Sequence, residues 1–291
     1  MKLYRKPELT KKKVIILSVM IILLTVFCIF QNKHLTVSEY TFTSDKVSEE
    51  TDGLRIVQIS DLHNAKFGKN NKRLIEKISQ QHPDMIVITG DIVDSSHTDI
   101  DCAVDLCGEL SKLCPCYYIT GNHEMWLDSS EKEQLYSGIK NSGVRILDDE
   151  TVYPFDDMAL TGLDDESLYN GTLQKLSQDI APEKLHIVLA HEPQYLEEEY
   201  VQSSPDLIIT GHAHGGQIRL PFIGGLVAPD QGFFPEYTSG DYHCISCTDD
   251  TSEQDTEITM YVSRGLGNSV IPVRIFNYPE INVLIMSKKN L

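Results

Sequence analysis

Positive charge is scarce in this chain beyond its first residues. The 291 residues hold 25 Lys and Arg against 43 Asp and Glu, a formal net charge of −18. Residues 1–13 carry a net +5, from Lys2, Arg5, Lys6, Lys11, Lys12 and Lys13 against Glu8, which leaves −23 on the remaining 278. A body this acidic repels phosphate backbones, so long nucleic acid is a poor partner. Other signals are missing too. The N-terminal segment has no Arg-Arg pair, which removes a twin-arginine export signal. No A-x-A pattern follows its apolar run, which argues against signal-peptide cleavage. Cys244-x-x-Cys247 has no second CxxC to complete a structural zinc site. There is no internal repeat and no low-complexity tract.

What is present begins with an uncharged run, VIILSVMIILLTVFCIF, over residues 14–30. As a helix it rises about 25 Å, within the usual range for a membrane span. Lysines precede it and mixed charges follow it, so the positive-inside tendency predicts a signal anchor with a cytoplasmic tail over 1–13. The expectation is a single-pass protein of the cell membrane, its large domain on the extracytoplasmic side. Six of the seven cysteines lie outside the span, and an external domain permits them one or two disulfides beside buried thiols.

Residues 31–53 are polar and β-prone, read as a connector with a first strand, ahead of a domain over 54–291. The run LRIVQIS alternates and ends at Asp61-Leu-His63. Helical spacing over 69–82 stops at Pro83, and MIVIT then leads into Gly90-Asp91. A second helix is expected over 99–113, followed by CYYIT and Gly121-Asn122-His123-Glu124. Further on, LHIVLA ends at His191, and DLIIT runs into TGHAHGGQ over 210–217. Strand–turn–helix repeated in this way predicts an α/β fold with helices covering sheets. The Gly-, Pro- and Phe-rich stretch 219–237 reads as a structured loop covering a sheet, with membrane contact as its alternative. The acidic stretch 248–258 reads as an exposed hairpin tip.

Five of these strands end in Asp, His or Asn, and ligands of open α/β sheets gather at such strand ends. A strand entering the glycine-rich turn would aim two imidazoles two residues apart, His212 and His214, the same way, because side chains alternate with period two. Imidazoles converging with carboxylates suggest a metal site. Each element has an ordinary reading alone: Asp61 or Asp91 as a helix cap, Asn122-His123 as turn chemistry, His191 as a core histidine. Their joint occurrence in one chain is what points to a site.

The series DxH, GD, GNHE, H and GHxH resembles the calcineurin-like metallophosphoesterases. GHAHGGQIRLPFIG, APDQGFFPEY and SRGLGNS extend the resemblance, over roughly residues 50–289, to the membrane-anchored bacterial branch of that family. The resemblance implies a four-layer α/β/β/α sandwich with two metal ions at one edge of its sheets. It implies Asp61, His63, Asp91 and His214 at the first ion. Asp91, Asn122, His191 and His212 would hold the second, with Asp91 bridging. Such a pair polarises phosphoryl oxygens and deprotonates water near neutral pH. His123 is implied as the second catalytic residue beside Asp91, stabilising the transition state or protonating the leaving oxygen. Glu124 is read as structural. Asp94 is placed behind a ligand or, alternatively, as a helix cap. Arg219 and Arg264 are named as grips for a substrate phosphate, against a reading as solvated surface arginines. Imidazole-rich ligation favours manganese, iron or zinc over calcium or magnesium. The expected substrate is a small or lipid-linked phosphodiester or pyrophosphate of the envelope. The rivals are a catalytically silent metal-stabilised binding protein, a nucleotide phosphodiesterase and a protein phosphatase.

Overall fold

The computed structural model describes residues 11–246 and 256–289. The first ten residues of the basic tail, Cys247 and most of the expected acidic tip lie outside the described residues. The uncharged run forms helix α1, Lys11–Lys33, three residues longer at each end than the span read from composition. Nothing inside it breaks a helix: it has neither Pro nor Gly, and its 23 residues rise about 34 Å. Its most apolar window has a mean hydropathy of 2.9 and is almost wholly exposed, so it is long and apolar enough to cross a membrane.

Two six-stranded sheets form the body. The first runs, in spatial order, β1 (Thr36–Ser44), β12 (Glu280–Lys288), β2 (Arg55–Ile59), β3 (Met85–Thr89), β4 (Cys116–Ile119) and β5 (Arg145–Ile146). Strands β2 to β5 are parallel, and β12 is antiparallel to β2 but parallel to β1. The connector's strand is therefore the outer strand of this sheet, and the expected boundary at residue 54 falls inside it. The second sheet runs β10 (Gly240–Ser246), β11 (Thr256–Val262), β9 (Leu207–Thr210), β8 (Leu185–Leu189), β7 (Met158–Gly162) and β6 (Glu150–Phe155). It is parallel from β11 to β7, with an antiparallel strand at each edge.

The continuous apolar runs are explained by burial on both faces. Ile56, Met85 and Val87 face Leu160, Ile187 and Ile209 across the gap between the sheets. The alternate residues Val57, Ile86 and Ile88 face outward, under α2 (Lys72–Ser79), α3 (Ile100–Leu110) and α5 (Ser129–Asn141). Beyond the other sheet, Val188 and Ile208 pack with Leu173 of α6 (Thr172–Ser177) and with Leu196 and Tyr200. A one-turn α4 (Asn122–Met125) sits at the end of β4. These are the four layers α/β/β/α. Each fully buried Leu or Ile contributes roughly 1.5–3 kcal/mol, which is why both sheets tolerate so few polar side chains.

One polar exception aligns the sheets. Gln58 Nε2 donates to Thr89 Oγ1 at 2.8 Å and to the Thr210 carbonyl at 2.7 Å, while Gln58 Oε1 accepts from Asn282 at 3.0 Å. A buried amide with its donors and acceptor engaged gives one register at little net cost. It ties β2, β3 and β12 to β9 just before the chain enters the Asp61 and His212 loops.

The expected disulfides do not form among the described residues: Cys28, Cys102, Cys107, Cys114, Cys116 and Cys244 are free. Cys107 and Cys116 lie in the core instead. Burial pushes the Cys107 thiol up to about 12 and the Cys116 thiol well above its ordinary value, which leaves both unreactive.

Candidate metal centre

The chain turns abruptly where β2, β3 and β9 end. Asp61, His63, Asp91, His212 and His214 all take left-handed backbone angles, with φ of 50°, 44°, 53°, 62° and 47°. Such angles cost a non-glycine residue on the order of 1 kcal/mol or more, and they cluster where a structure serves a site. They also correct the expectation that His212 and His214 point the same way. Strand β9 ends at Thr210, so period-two alternation no longer applies, and the two imidazoles diverge into separate groups.

One group is Asp61, His63 and His214. His63 Nε2 lies 3.2 Å from His214 Nε2, which is 3.8 Å from Asp61 Oδ1. The other is Asp91, His191 and His212, joined by Asn122. Asn122 Oδ1 lies 3.2 Å from His191 Nε2 and 3.0 Å from His212 Nδ1, and those two nitrogens are 3.2 Å apart. Asp91 stands between the groups, with Oδ2 3.5 Å from His63 Nε2 and 3.3 Å from His191 Nε2. Its Oδ1 accepts the His123 amide at 2.8 Å, which fixes the carboxylate plane.

The second group fits a cation on hydrogen-bonding grounds. His191 Nδ1 is 2.7 Å from the Thr89 carbonyl, an acceptor only, so that nitrogen carries the proton and Nε2 has a free lone pair. His212 Nε2 faces the Asp230 carboxylate at 3.0 Å, so its proton sits there and Nδ1 is free. Two lone pairs and an amide oxygen thus converge without a donor. A metal ion satisfies all three. With no ion a proton must serve, and Asp91 accordingly raises His191 well above the ordinary imidazole range against the opposing effect of burial. In the first group burial holds His63 down at about 3, although Asp91 opposes it. Burial, with the charge of Arg274, puts His214 well below its ordinary value. Both imidazoles are therefore neutral at physiological pH and able to donate lone pairs.

Glu124 organises the turns. Its Oε2 accepts the amides of Asp91 at 2.7 Å and Gly121 at 2.8 Å, and Oε1 accepts that of Val93 at 3.2 Å. Gly121 leaves space that a side chain would fill: a Cβ there would stand 2.5 Å from Asp91 Oδ1 and 2.8 Å from His191 Cε1. His123 forms a further group with His63 and Asp91 and lies edge-on to His63, with ring centroids 4.5 Å apart. The Ser95 amide donates to its Nδ1 at 3.1 Å, so the neutral ring keeps its proton on Nε2. That Nε2 is 3.0 Å from Ser269 Oγ.

Two expected residues sit elsewhere than proposed, and a third, Asp94, lies behind His63 without a hydrogen bond to it. Asp94 Oδ1 accepts the Ser96 amide at 2.8 Å, an ordinary turn, and its Oδ2 is 3.9 Å from His63 Nδ1, beyond a hydrogen bond. Arg264 is taken up by the buried Glu280 at 2.5 Å, because a carboxylate out of water needs a cation. Arg219 donates to the Gly215 carbonyl and Thr238 Oγ1. Neither arginine lines the cavity. Sequence reasoning missed Asp230, although it lies within APDQGFFPEY, and also Arg274. Arg274 is fully buried, donates to the carbonyls of Gly267 and Arg264, and stands 3.5 Å from His214 Nδ1. No spacing in the sequence marks it.

The two groups open into a cavity of about 340 Å³ whose walls include Asn122, His123, Trp126, His212, Val270 and Ile271. Part of its wall is apolar and exposed: Trp126 is 64% exposed and Val270 91%. Phe222, Phe233 and Phe234 of the stretch 219–237 are exposed, whereas its Ala228 and Tyr237 are buried against the second sheet, so the stretch covers that sheet only in part.

Comparison with known proteins agrees with the geometry. Residues 54–216 match the family described as Calcineurin-like phosphoesterase. The metallophosphoesterase YkuE of Bacillus subtilis is 31% identical over 270 residues, covering 87% of this chain and 86% of that protein. The metallophosphoesterase Cj0846 of Campylobacter jejuni is 31% identical over 284 residues, covering 94% and 71%. A Danio rerio protein named "Transmembrane protein with metallophosphoesterase domain" is 27% identical over 262 residues, covering 84% and 55%. The sheets, the donor groups at their edge and these matches lead to one conclusion: the chain belongs to the calcineurin-like phosphoesterase family and is a metal-dependent phosphoester hydrolase.

Proposed function

We propose that the chain hydrolyses a phosphodiester or pyrophosphate bond in a lipid- or envelope-linked substrate, from a membrane anchor and on the extracytoplasmic side. The observation that carries this reading is the donor-free convergence of His191 Nε2, His212 Nδ1 and Asn122 Oδ1 beside the Asp91 carboxylate. In this reading Asp61, His63, Asp91 and His214 hold one ion, and Asp91, Asn122, His191 and His212 hold the other. Two bound cations supply Lewis acidity toward the phosphoryl oxygens and a water nucleophile at neutral pH. Manganese, iron and zinc suit the imidazole-rich donors.

The protein's own residues do the rest. Asp91, whose Oδ2 lies between His63 Nε2 and His191 Nε2, would hold the two ion sites together, and Glu124 holds Asp91 by its amide. His123 presents the Nε2–H of its neutral ring at the cavity, where it stabilises charge on a phosphoryl oxygen; protonation of the leaving group would require the imidazolium and so displacement of the Ser95 amide from Nδ1. Asp230 keeps His212 in the tautomer that frees Nδ1. The apolar cavity wall suits the alkyl part of a substrate better than a polynucleotide, which the −23 body repels.

The test uses the full chain in detergent, stripped of metal and reloaded with manganese, iron or zinc. We expect metal-dependent turnover of bis-(p-nitrophenyl) phosphate that exceeds turnover of p-nitrophenyl phosphate. Turnover confined to the monoester would replace the diester reading with a phosphatase. Protease added to intact cells tests the side: digestion of the large domain is expected, and its protection would place the domain in the cytoplasm.

A further inference from the structure

We propose that the mouth of the metal cavity is a docking face for the bilayer surface, held against it by the anchor helix itself. The inference rests on α1 being a membrane span, and it deepens the lipid-linked reading by stating where the substrate comes from. The segment 264–278 alternates between the anchor and the site. Asn268 Nδ2 donates to Asn32 Oδ1 of α1 at 2.5 Å. The next residue, Ser269, bonds His123 at 3.0 Å, and Val270 and Ile271 then form part of the cavity wall. Pro272 and Val273 line a hollow together with Cys28 and Ile29 of α1. Phe276 meets Phe27 edge-on, with ring centroids 5.8 Å apart.

Depth follows from these contacts. Phe27, Cys28 and Ile29 belong to the uncharged run, and Phe27 lies about 9 Å along the helix before Lys33. A loop residue that touches Phe27 therefore sits at the level of the span's outer end. Lys33 reaches the Lys66 carbonyl at 2.9 Å, the position of a cation at headgroup height. Val270, Ile271 and the half-exposed Phe276 meet apolar surroundings at that level, whereas in water they would form an unpartnered patch. The face continues into the hairpin 219–225. Its Arg219 amide donates to the Ile275 carbonyl at 3.0 Å, and its tip carries the exposed Phe222 and Ile223. Aromatic and aliphatic side chains in this arrangement suit a membrane interface. Continuity with the span is why the occupant is a bilayer rather than another protein. A phosphoester headgroup can then enter the cavity without leaving its membrane.

Trp126, the chain's only tryptophan, reports on this directly because it lines the cavity mouth. The full chain is reconstituted into phosphatidylcholine vesicles made with or without lipid dibrominated near the headgroup end of its chains. Docking predicts that Trp126 emission is quenched by the brominated lipid. In a Phe222→Asp, Ile223→Asp variant that still floats with the vesicles, quenching should fall by about twofold or more, since charge is expelled from the interface. Equal emission in the two vesicle types overturns the proposal, as does unchanged quenching in the variant or failure of the chain to float. Hydrolysis of bis-(p-nitrophenyl) phosphate by the same samples separates the two readings. Turnover without quenching removes the docking face and leaves the proposed function; quenching without turnover by the metal-loaded chain leaves the docking face and removes the diester reading.

Discussion

His186 and His191 belong to the same strand end to end: His186 lies near the start of β8, and His191 follows two residues after its last. Both are buried histidines in the same sheet, and their surroundings differ in one respect. His186 is satisfied. Its Nε2 lies 3.0 Å from Thr161 Oγ1, its amide donates to Asp206 at 2.8 Å, and burial lowers its imidazole to about 4. Beside it lies a cavity of about 910 Å³, much larger than the one at the metal centre. Its charges pair off there, Lys46 with Asp206 at 2.8 Å. At the other end of the strand, His191 meets a carboxylate, an amide oxygen and a second imidazole lone pair. Beside the larger cavity His186, Lys46 and Asp206 are matched to partners, whereas the smaller one has acceptors in excess. Chemistry is located by unmatched donors and acceptors rather than by volume.

The largest effect should come from removing the group shared by the two ion sites. Asp91→Asn is expected to lower turnover by on the order of 10³-fold and to reduce bound metal from two ions per chain, as read by elemental analysis. Two ions retained with full activity would break the contrast. His123→Ala should lower kcat by roughly 10²–10⁴ with both ions kept, separating transition-state stabilisation from metal binding. Loss of metal in that variant would move His123 into the ligand set. Asp230→Asn sharpens the tautomer argument: metal affinity should fall by about 10–100-fold in a chelator titration, while the melting temperature of the metal-free chain barely moves.

The smallest effect belongs to the satisfied end. His186→Asn should leave metal content and turnover unchanged. Its signature is in acid. The folded imidazole is held at about 4, below the ordinary 6.5, so the unfolded chain takes up the proton first. Stability present above pH 6.5 is therefore lost as pH falls toward 4. The variant should show a shallower decline of melting temperature across that window. An identical slope in the two proteins would show that His186 is not the group responsible.

Much of this was legible before folding. The ends of β2, β3, β4, β8 and β9 were marked by apolar runs stopping at Asp61, Asp91, Asn122, His191 and His212, because strands buried on both faces admit polar residues only where they emerge. The helix α1 was legible from the absence of charge alone. Arg219 and Arg264 were misplaced because a cation in a sequence says nothing of which neighbour will claim it. Glu280 claims Arg264 through a contact that no local pattern encodes.

The sequence by itself determined the alternation of buried strands and covering helices, the apolar helix α1 and the residue types at each strand end. These depend on hydrophobic periodicity and chemistry carried by neighbours in the chain. Only the tertiary structure decided that His212 and His214 part into different groups, that Asp230 and Arg274 stand behind them, and that α1 is clipped to the loop bearing Ser269. Those outcomes depend on left-handed turns and on contacts between segments tens to hundreds of residues apart, and such contacts exist only once the two sheets have packed.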